Sequence, residues 1–258
     1  MALSLNNANA ILSALVTIPD YPFSLVGWFR VPDNSKFTAL MGITSTSTGE
    51  RCEIYFAGDS TKEAVAATYT TSSSSLAYST SPMIPGQWHH LVAVFASDNE
   101  RKIFIDGGNL GVNNDNLAIS ALSFIYFGNL YGPDLVDVAE VSIIQAAVSA
   151  DQAAFFANGG PLFSSPNISA MVTYHDCIRQ ANQPGLGPKF IVIGSPVATA
   201  HPRKIHAVSG HSIAMPYRVR GPWRVEQSLG RSLSASQGQL SASGVASNNS
   251  ILSGEVTV

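Results

Sequence analysis

Between residues 86 and 108 two apolar runs flank a polar connection. Trp88-His89-His90-Leu91-Val92-Ala93-Val94-Phe95 leads through Ala96 to Arg101 into Lys102-Ile103-Phe104-Ile105, which closes on Asp106-Gly107. Runs of this length, ending on a dipeptide suited to positive φ, predict a β-hairpin. Side chains alternate along a strand, so Trp88, His90, Val92 and Val94 share one face, and His89, Leu91, Ala93 and Phe95 share the other. Both faces are largely apolar, which places the strand inside a sheet covered on two sides.

The same period marks other elements. Residues 2–18 alternate weakly around the turn pair Asn6-Asn7 and predict one or two short strands. Phe23 to Val31 predicts a stronger one, with Phe23, Leu25, Gly27 and Phe29 on one face, Val26 and Trp28 on the other, and Pro32-Asp33 as its stop. Strands are also expected at Phe37–Ile43, Cys52–Phe56, Glu63–Thr70, Leu117–Phe127 and Val136–Ile144. Thr44–Gly49 reads as a loop and Thr70–Ser81 as a low-complexity Ser/Thr stretch. Strands every 10 to 15 residues with polar turns between them have the rhythm of an antiparallel sandwich. One segment differs: Ser149 with Gln152 three residues later forms a capping-box pattern, and Asn158-Gly159 is a stop. A short helix is predicted there.

Past residue 160 the pattern changes. Pro184, Gly185, Gly187 and Pro188 open a region in which Lys189–Gly194 reads as a strand. Pro216 to Val225 then interleaves basic with apolar or aromatic residues. From Ser228 the chain is Ser, Ala, Gly, Gln and Asn with sparse Leu, Val and Ile, too little apolar surface to fold alone. The expected organisation is a domain at 1–160, a small β-rich attachment region at 161–227, and an extended arm at 228–258.

Composition bounds the function classes. Charged residues are 12% of 258, and no apolar run approaches 18 residues, so a membrane-spanning helix is not expected. Residues 1–160 hold 6 Lys/Arg against 14 Asp/Glu, net −8, whereas 161–258 hold 8 against 3, net +5. A split of this kind suits halves that pack together or a basic part that meets an acidic partner. Cys52 and Cys177 are too few for a disulfide framework and read as free buried thiols. No Lys or Arg precedes Arg30, so the positive n-region of a secretory signal is missing and synthesis in a cytoplasm is expected.

Several of these segments, taken in order, carry a resemblance. The apolar-Trp strand Phe23–Val31, Gly86-Gln87-Trp88-His89-His90-Leu91-Val92-Ala93-Val94, Lys102-Ile103-Phe104-Ile105-Asp106-Gly107, Phe127-Gly128, Val138–Ile143, Val148–Gln152 and Asn158-Gly159-Gly160 together resemble the laminin-G-like, concanavalin A-like jelly-roll family. The resemblance covers residues 2–160. It implies an all-β fold, two antiparallel sheets packed face to face, with the helix capping one end. It implies no single chemistry, because the fold hosts lectins, glycosidases and structural modules, phage structural proteins among them.

Glycoside hydrolysis needs two carboxyl groups about 5–10 Å apart. The densest acidic cluster is Asp134, Asp137 and Glu140, but Asp137 points away from the other two on a strand. His89 and His90 fall on opposite faces, and His175, Cys177, His201, His206 and His211 lack zinc-ligand spacing. Calcium candidates are Asn114, Asp115, Asp134 and Asp137. No Gly-x-Ser-x-Gly, phosphate loop or dinucleotide fingerprint occurs. No catalytic residue and no cofactor is therefore expected, and one basic stripe in an acidic chain does not make a nucleic-acid binder.

Three readings follow. In the leading one the protein is a virion structural component, a decoration or other surface protein of a tailed phage. It would contact capsid or tail proteins of the same particle, as a homo-oligomer and without a membrane, through residues 161–258, with Arg218, Arg220, Trp223 and Arg224 as partner-binding candidates. In the second it is a carbohydrate-binding, lectin-like module for a host-surface glycan, with Trp28, Tyr55 and Tyr69 as glycan-binding candidates. A glycoside hydrolase ranks last.

Overall fold

Among the described residues, alternation of apolar side chains builds most of the strands up to Ile144, and the stretch after Ser149 has helical capping. The structure, a computed structural model, describes residues 2–5, 11–18, 20–32, 37–58, 61–120, 122–128, 135–162, 168–175, 177, 186–188, 191–193, 197–200 and 202. In chain order these form β1 (Ala2–Leu5), β2 (Ile11–Ile18), β3 (Phe23–Arg30), β4 (Thr38–Thr44), β5 (Arg51–Phe56), β6 (Glu63–Tyr69), β7 (Ser74–Pro82), β8 (His89–Ser97), β9 (Glu100–Ile105), β10 (Gly108–Asn113), β11 (Leu122–Phe127), β12 (Val136–Ile144), α1 (Ala150–Ala157), β13 (Met171–His175), β14 (Ile191–Ile193) and β15 (Val197–Thr199).

The strands make two antiparallel sheets. One has eight strands in the order β10-β9-β8-β3-β12-β1-β15, with β13 also on β12; the other has seven, in the order β14-β2-β11-β4-β5-β6-β7. The expected two-sheet sandwich is what forms. Phe23, Leu25, Phe29, Leu91, Phe95 and Ile103 of the eight-stranded sheet meet Met41, Ile43, Ile54, Phe56, Ile125 and Phe127 of the other. Each such burial contributes about 1.5–3 kcal/mol, which makes this layer the main source of stability.

β8 lies between β9 and β3, as its two apolar faces require. Leu91, Ala93 and Phe95 point into the sandwich, whereas Val92 and Val94 join Val26, Phe104 and Ile144 on the outer face. That outer face is closed by Val148, Ala153, Phe156, Leu162, Met171 and Tyr174. The helix therefore lies on the outer face of the eight-stranded sheet and does not cap an end of the sandwich. Its start is the predicted capping box: Gln152 N–H donates to Ser149 Oγ at 3.3 Å, and Ser149 N–H donates to Gln152 Oε1 at 2.9 Å.

Further departures from expectation have physical reasons. β7 occupies part of the low-complexity stretch. Its inward positions are Ser75, Ala77 and Ser79, so the strand has no large apolar side to betray it. Ser79 Oγ accepts from Ala64 N–H at 3.0 Å and donates to the Ser81 carbonyl at 2.7 Å. The hairpin also gains a third strand. Asp106 (φ +53°) and Gly107 (φ +78°) turn the chain into β10, and a Cβ on Gly107 would sit 2.7 Å from Ala154 Cα, so the helix needs glycine there. Nor does the chain leave the sandwich at residue 160: β13 pairs with β12, β14 with β2, and β15 with β1. One compact unit spans Met1–Ala207 and a second spans Val208–Val258. The second unit, which holds the expected arm, lies outside the described residues.

His90 sits under the helix. Its ring lies 5.1 Å from that of Trp28 and 6.3 Å from that of Phe156, and its Nδ1 has no hydrogen-bond partner. Burial disfavours the imidazolium and pulls its pKa down to about 4, against the milder pull of Asp106. The unfolded chain then binds the extra proton between about pH 6.5 and 4, so stability is full above that window and falls through it. The loss approaches about 3 kcal/mol at the acid end. Urea unfolding at several pH values will show this slope, and His90→Leu will flatten it.

Candidate functional site

The helix, with Val148 and Leu162 on either side of it, covers the eight-stranded sheet, and among the described residues no comparable layer covers the other. On the outer face of the seven-stranded sheet the apolar clusters contain residues of that sheet alone: Tyr55, Ala57, Val65 and Ala67 with Tyr69 and Leu76, and Ala39 and Tyr126 with Phe124. Registers arrange them in rows. Ala39, Tyr55, Val65 and Tyr78 stand side by side on β4, β5, β6 and β7, a row of about 14 Å at ordinary strand spacing. Phe37 leans on Tyr55 with ring centroids 4.2 Å apart. Tyr78 and Phe37 are each 43% exposed, which leaves aromatic surface at both ends of the row.

The tyrosine hydroxyls are clustered. Those of Tyr69 and Tyr78 are near enough to that of Tyr55 to act on its ionisation. Burial, then neighbouring phenols, raises the pKa of Tyr55, and burial with the charge of Glu53 pushes Tyr69 up to about 12, so both stay neutral donors and acceptors.

The next row is polar at its centre. Gly42, Glu53, Ala67 and Leu76 are in register, and Tyr126 pairs with Gly42 from the far side. The Tyr126 phenol lies over Gly42 and donates to Glu53 Oε2. Arg51 Nε stands 3.4 Å from the same oxygen, and its guanidinium lies 4.1 Å above the Tyr69 ring. Glu53 is fully buried and its Oε1 has no hydrogen-bond partner. Burial raises its pKa, opposed by the Tyr126 hydroxyl and Arg51.

Of the three expected glycan residues, Tyr55 and Tyr69 share this face and Trp28 does not. Trp28 stands on the outer face of the eight-stranded sheet, 5% exposed, packed with Ala2, Ala139 and Trp88. Its face runs opposite because β3 belongs to the other sheet. Arg218, Arg220, Trp223 and Arg224 lie outside the described residues.

The acidic and histidine candidates are engaged structurally. Asp137 accepts from Arg30 Nε at 2.6 Å, and Arg30 also donates to Thr199 Oγ1 at 2.9 Å, tying β3, β12 and β15 together. Glu140 sits at φ +49° beside a register shift against β3, so this strand does not alternate regularly there. Asp134 is outside the described residues. Asp115 accepts from Asn113 Nδ2 at 2.9 Å. His89 Nδ1 lies 2.8 Å from Asp106 Oδ2, while Asp106 Oδ1 accepts from His90 N–H at 3.0 Å. His175 Nδ1 accepts from Cys177 N–H at 2.9 Å. Among the described residues no three His, Cys, Asp or Glu side chains converge as a metal site.

Sequence reasoning missed Phe37, Arg51, Glu53, Tyr78 and Tyr126. The signal present was period two: Arg51, Glu53 and Tyr55 alternate with Cys52, Ile54 and Phe56, and Tyr78 follows Leu76 by two.

A family model described as the concanavalin A-like lectin/glucanases superfamily, of laminin G type, matches residues 5–154. No curated protein sequence matches the chain. Among solved structures, the native heptameric SAP-like pentraxin from Limulus polyphemus is similar over 75% of this chain and 94% of its own, at 11% identity and TM-score 0.55. The botulinum neurotoxin serotype G binding domain is similar over 60% of this chain and 41% of its own, at 14% identity and TM-score 0.46. A Trypanosoma rangeli sialidase is similar over 53% and 22%, at 18% identity and TM-score 0.42. At such identities the pentraxin shares the fold, and the chain spans less than half of the other two proteins.

An added methyl tests how tightly the polar row is built. A Cβ on Gly42 would lie 2.5 Å from Tyr126 Oη, 2.6 Å from its Cζ and 2.8 Å from Glu53 Cβ. Gly42→Ala is expected to destabilise the protein by about 1–3 kcal/mol, measured by urea unfolding, because Tyr126 must leave Glu53. Unchanged stability would mean that the phenol does not lie across Gly42.

Proposed function

The chain belongs to the concanavalin A-like lectin/glucanases superfamily, and from that premise we propose that it is a carbohydrate-binding module with its ligand on the outer face of the seven-stranded sheet. The observation that carries the reading is the aromatic row Phe37–Tyr55–Tyr78, exposed at both ends. Exposed ring faces offer apolar contact, and neutral phenols at their rims offer hydrogen bonds in both directions. Binding fits this face better than hydrolysis does, because Glu53 is buried and already held by Tyr126 and Arg51. Binding of a glycan array by the full chain tests the reading. Tyr78→Ala and Phe37→Ala, both at exposed positions, are expected to weaken each hit about tenfold, equivalent to about 1.4 kcal/mol, with little change in unfolding midpoint. An array without hits, or hits indifferent to both substitutions, removes the reading.

Charge distribution favours a second, compatible reading. The net −8 of residues 1–160 against +5 for 161–258 suits a module displayed on a larger particle, such as a tailed-phage virion, through its C-terminal part. Capsid or tail proteins would be the partners, with self-association on the particle. A chain ending at Ala207 keeps every described strand. It is expected to fold and to lose particle attachment; full occupancy by the shortened chain would refute this reading.

A further inference from the structure

The aromatic row of the seven-stranded sheet continues into a cation. Tyr55 carries Phe37 at 4.2 Å between ring centroids, and Tyr69 stands near enough to act on its ionisation. The Arg51 guanidinium in turn lies 4.1 Å above the Tyr69 ring. Register explains this order. Arg51, Glu53 and Tyr55 alternate outward along β5, and Arg51 is the cross-strand partner of Tyr69 on β6. The backbone separates Arg51 from Tyr55 by roughly 13 Å at ordinary strand rise, and the Tyr69 ring bridges that gap on the surface.

Arg51 is the only basic residue among the described strand positions that face outward from this sheet. Two carboxyl groups share the face. Glu63 stands beside Lys62 at the far end of β6, two residues beyond Val65. Glu53 stands next to Arg51, but the two differ in what they show to a ligand: the Arg51 side chain is 25% exposed and that of Glu53 is wholly buried. Glu53 is also a loose counter-ion. Its Oε2 lies 3.4 Å from Arg51 Nε, longer than the about 2.7–2.9 Å of a charge-assisted hydrogen bond, and burial raises its pKa. What reaches the surface here is the guanidinium.

Resting on the carbohydrate-binding reading above, we propose that the ligand of this face is an acidic glycan, whose sugar rings lie along the aromatic row and whose carboxylate meets Arg51. A planar guanidinium matches a carboxylate in geometry as well as in charge. Stacking on Tyr69 holds it in place before the ligand arrives, which lowers the entropy lost on binding. Residues 1–160 carry net −8, so the general field of the domain repels anions. Preference for an acidic sugar therefore comes from this one contact.

An array of uronic-acid and sialic-acid oligosaccharides, their methyl esters and their neutral counterparts tests this with the full chain. Acidic spots are expected to bind about tenfold more tightly than the matched esters and neutral sugars, and the uronic and sialic spots tell the two carboxylate sources apart. Arg51→Gln is expected to bring that ratio to about one, whereas Tyr78→Ala weakens acidic and neutral spots alike and preserves it. Esters that bind as well as their parent acids, or a ratio unchanged in Arg51→Gln, would overturn the acidic ligand and leave a module for neutral glycans. If Arg51→Gln does not fold, the ester comparison on the unaltered chain decides. An array without hits removes the carbohydrate-binding reading and this inference with it.

Discussion

The structure depends on the two-sided apolar character of β3 and β8 at the centre of the eight-stranded sheet. Phe23, Leu25 and Phe29 alternate with Val26 and Trp28, and Leu91, Ala93 and Phe95 alternate with Val92 and Val94. One partner sheet can bury only one of those faces. The second set must be removed from water by something else, at about 1.5–3 kcal/mol for each large side chain left exposed. That requirement recruits the helix, with Val148 and Leu162, to the outer face. Among the described residues that covering layer is committed to one sheet, and the outer face of the other carries aromatic rings.

What was legible in the sequence follows from how strongly each strand advertises its inward side. β3, β8, β9 and β12 place large apolar residues inward and were readable, as was the helix from its Ser149–Gln152 box. β7 faces inward with Ser75, Ala77 and Ser79, and neither composition nor hydropathy marks it. Its place comes from partners distant in sequence, Ala64 N–H for Ser79 and Arg101 with Asn113 for Ser75. β10 carries Gly108 and Gly111 and is short, so its pairing rests on the turn and on β9. The same limit governs the candidate site. Tyr55 and Tyr69 were readable as strand aromatics, but which sheet each strand joins is decided by topology, and Trp28 went to the other one.

The Trp-His-His and Ile-Asp-Gly segments are the most conspicuous chemical motif of the chain, and the structure accounts for them without catalysis. Asp106 is drawn into the turn at positive φ and receives His89 on one oxygen and the His90 amide on the other. Burial alone would raise the pKa of its carboxyl, and these hydrogen bonds outweigh that and lower it. A histidine and a carboxylate 2.8 Å apart look like half of a catalytic constellation. Here His89 Nε2 accepts from Ile84 N–H at 2.9 Å, so both ring nitrogens are engaged within the fold.

Satisfaction of polar atoms therefore separates architecture from candidate function better than residue type does. Asp137, His89 and His175 are buried polar groups whose partners belong to neighbouring strands and turns, and removing them would loosen the fold. Glu53 Oε1, Arg101 Nε and Tyr21 Oη are buried polar atoms without a partner. Leaving such atoms dry costs about 1–3 kcal/mol each, more when charged, so their persistence calls for an occupant or a compensating gain. The two places differ in what they ask for. Glu53 is an acceptor beneath neutral phenols and beside Arg51, whereas Arg101 and Tyr21 are donors with no contacting negative group. Glu53 already has Tyr126 and Arg51 on one oxygen, whereas the guanidinium of Arg101 is answered by neutral oxygens alone, so the compensation at the two places differs in both hydrogen-bond direction and charge.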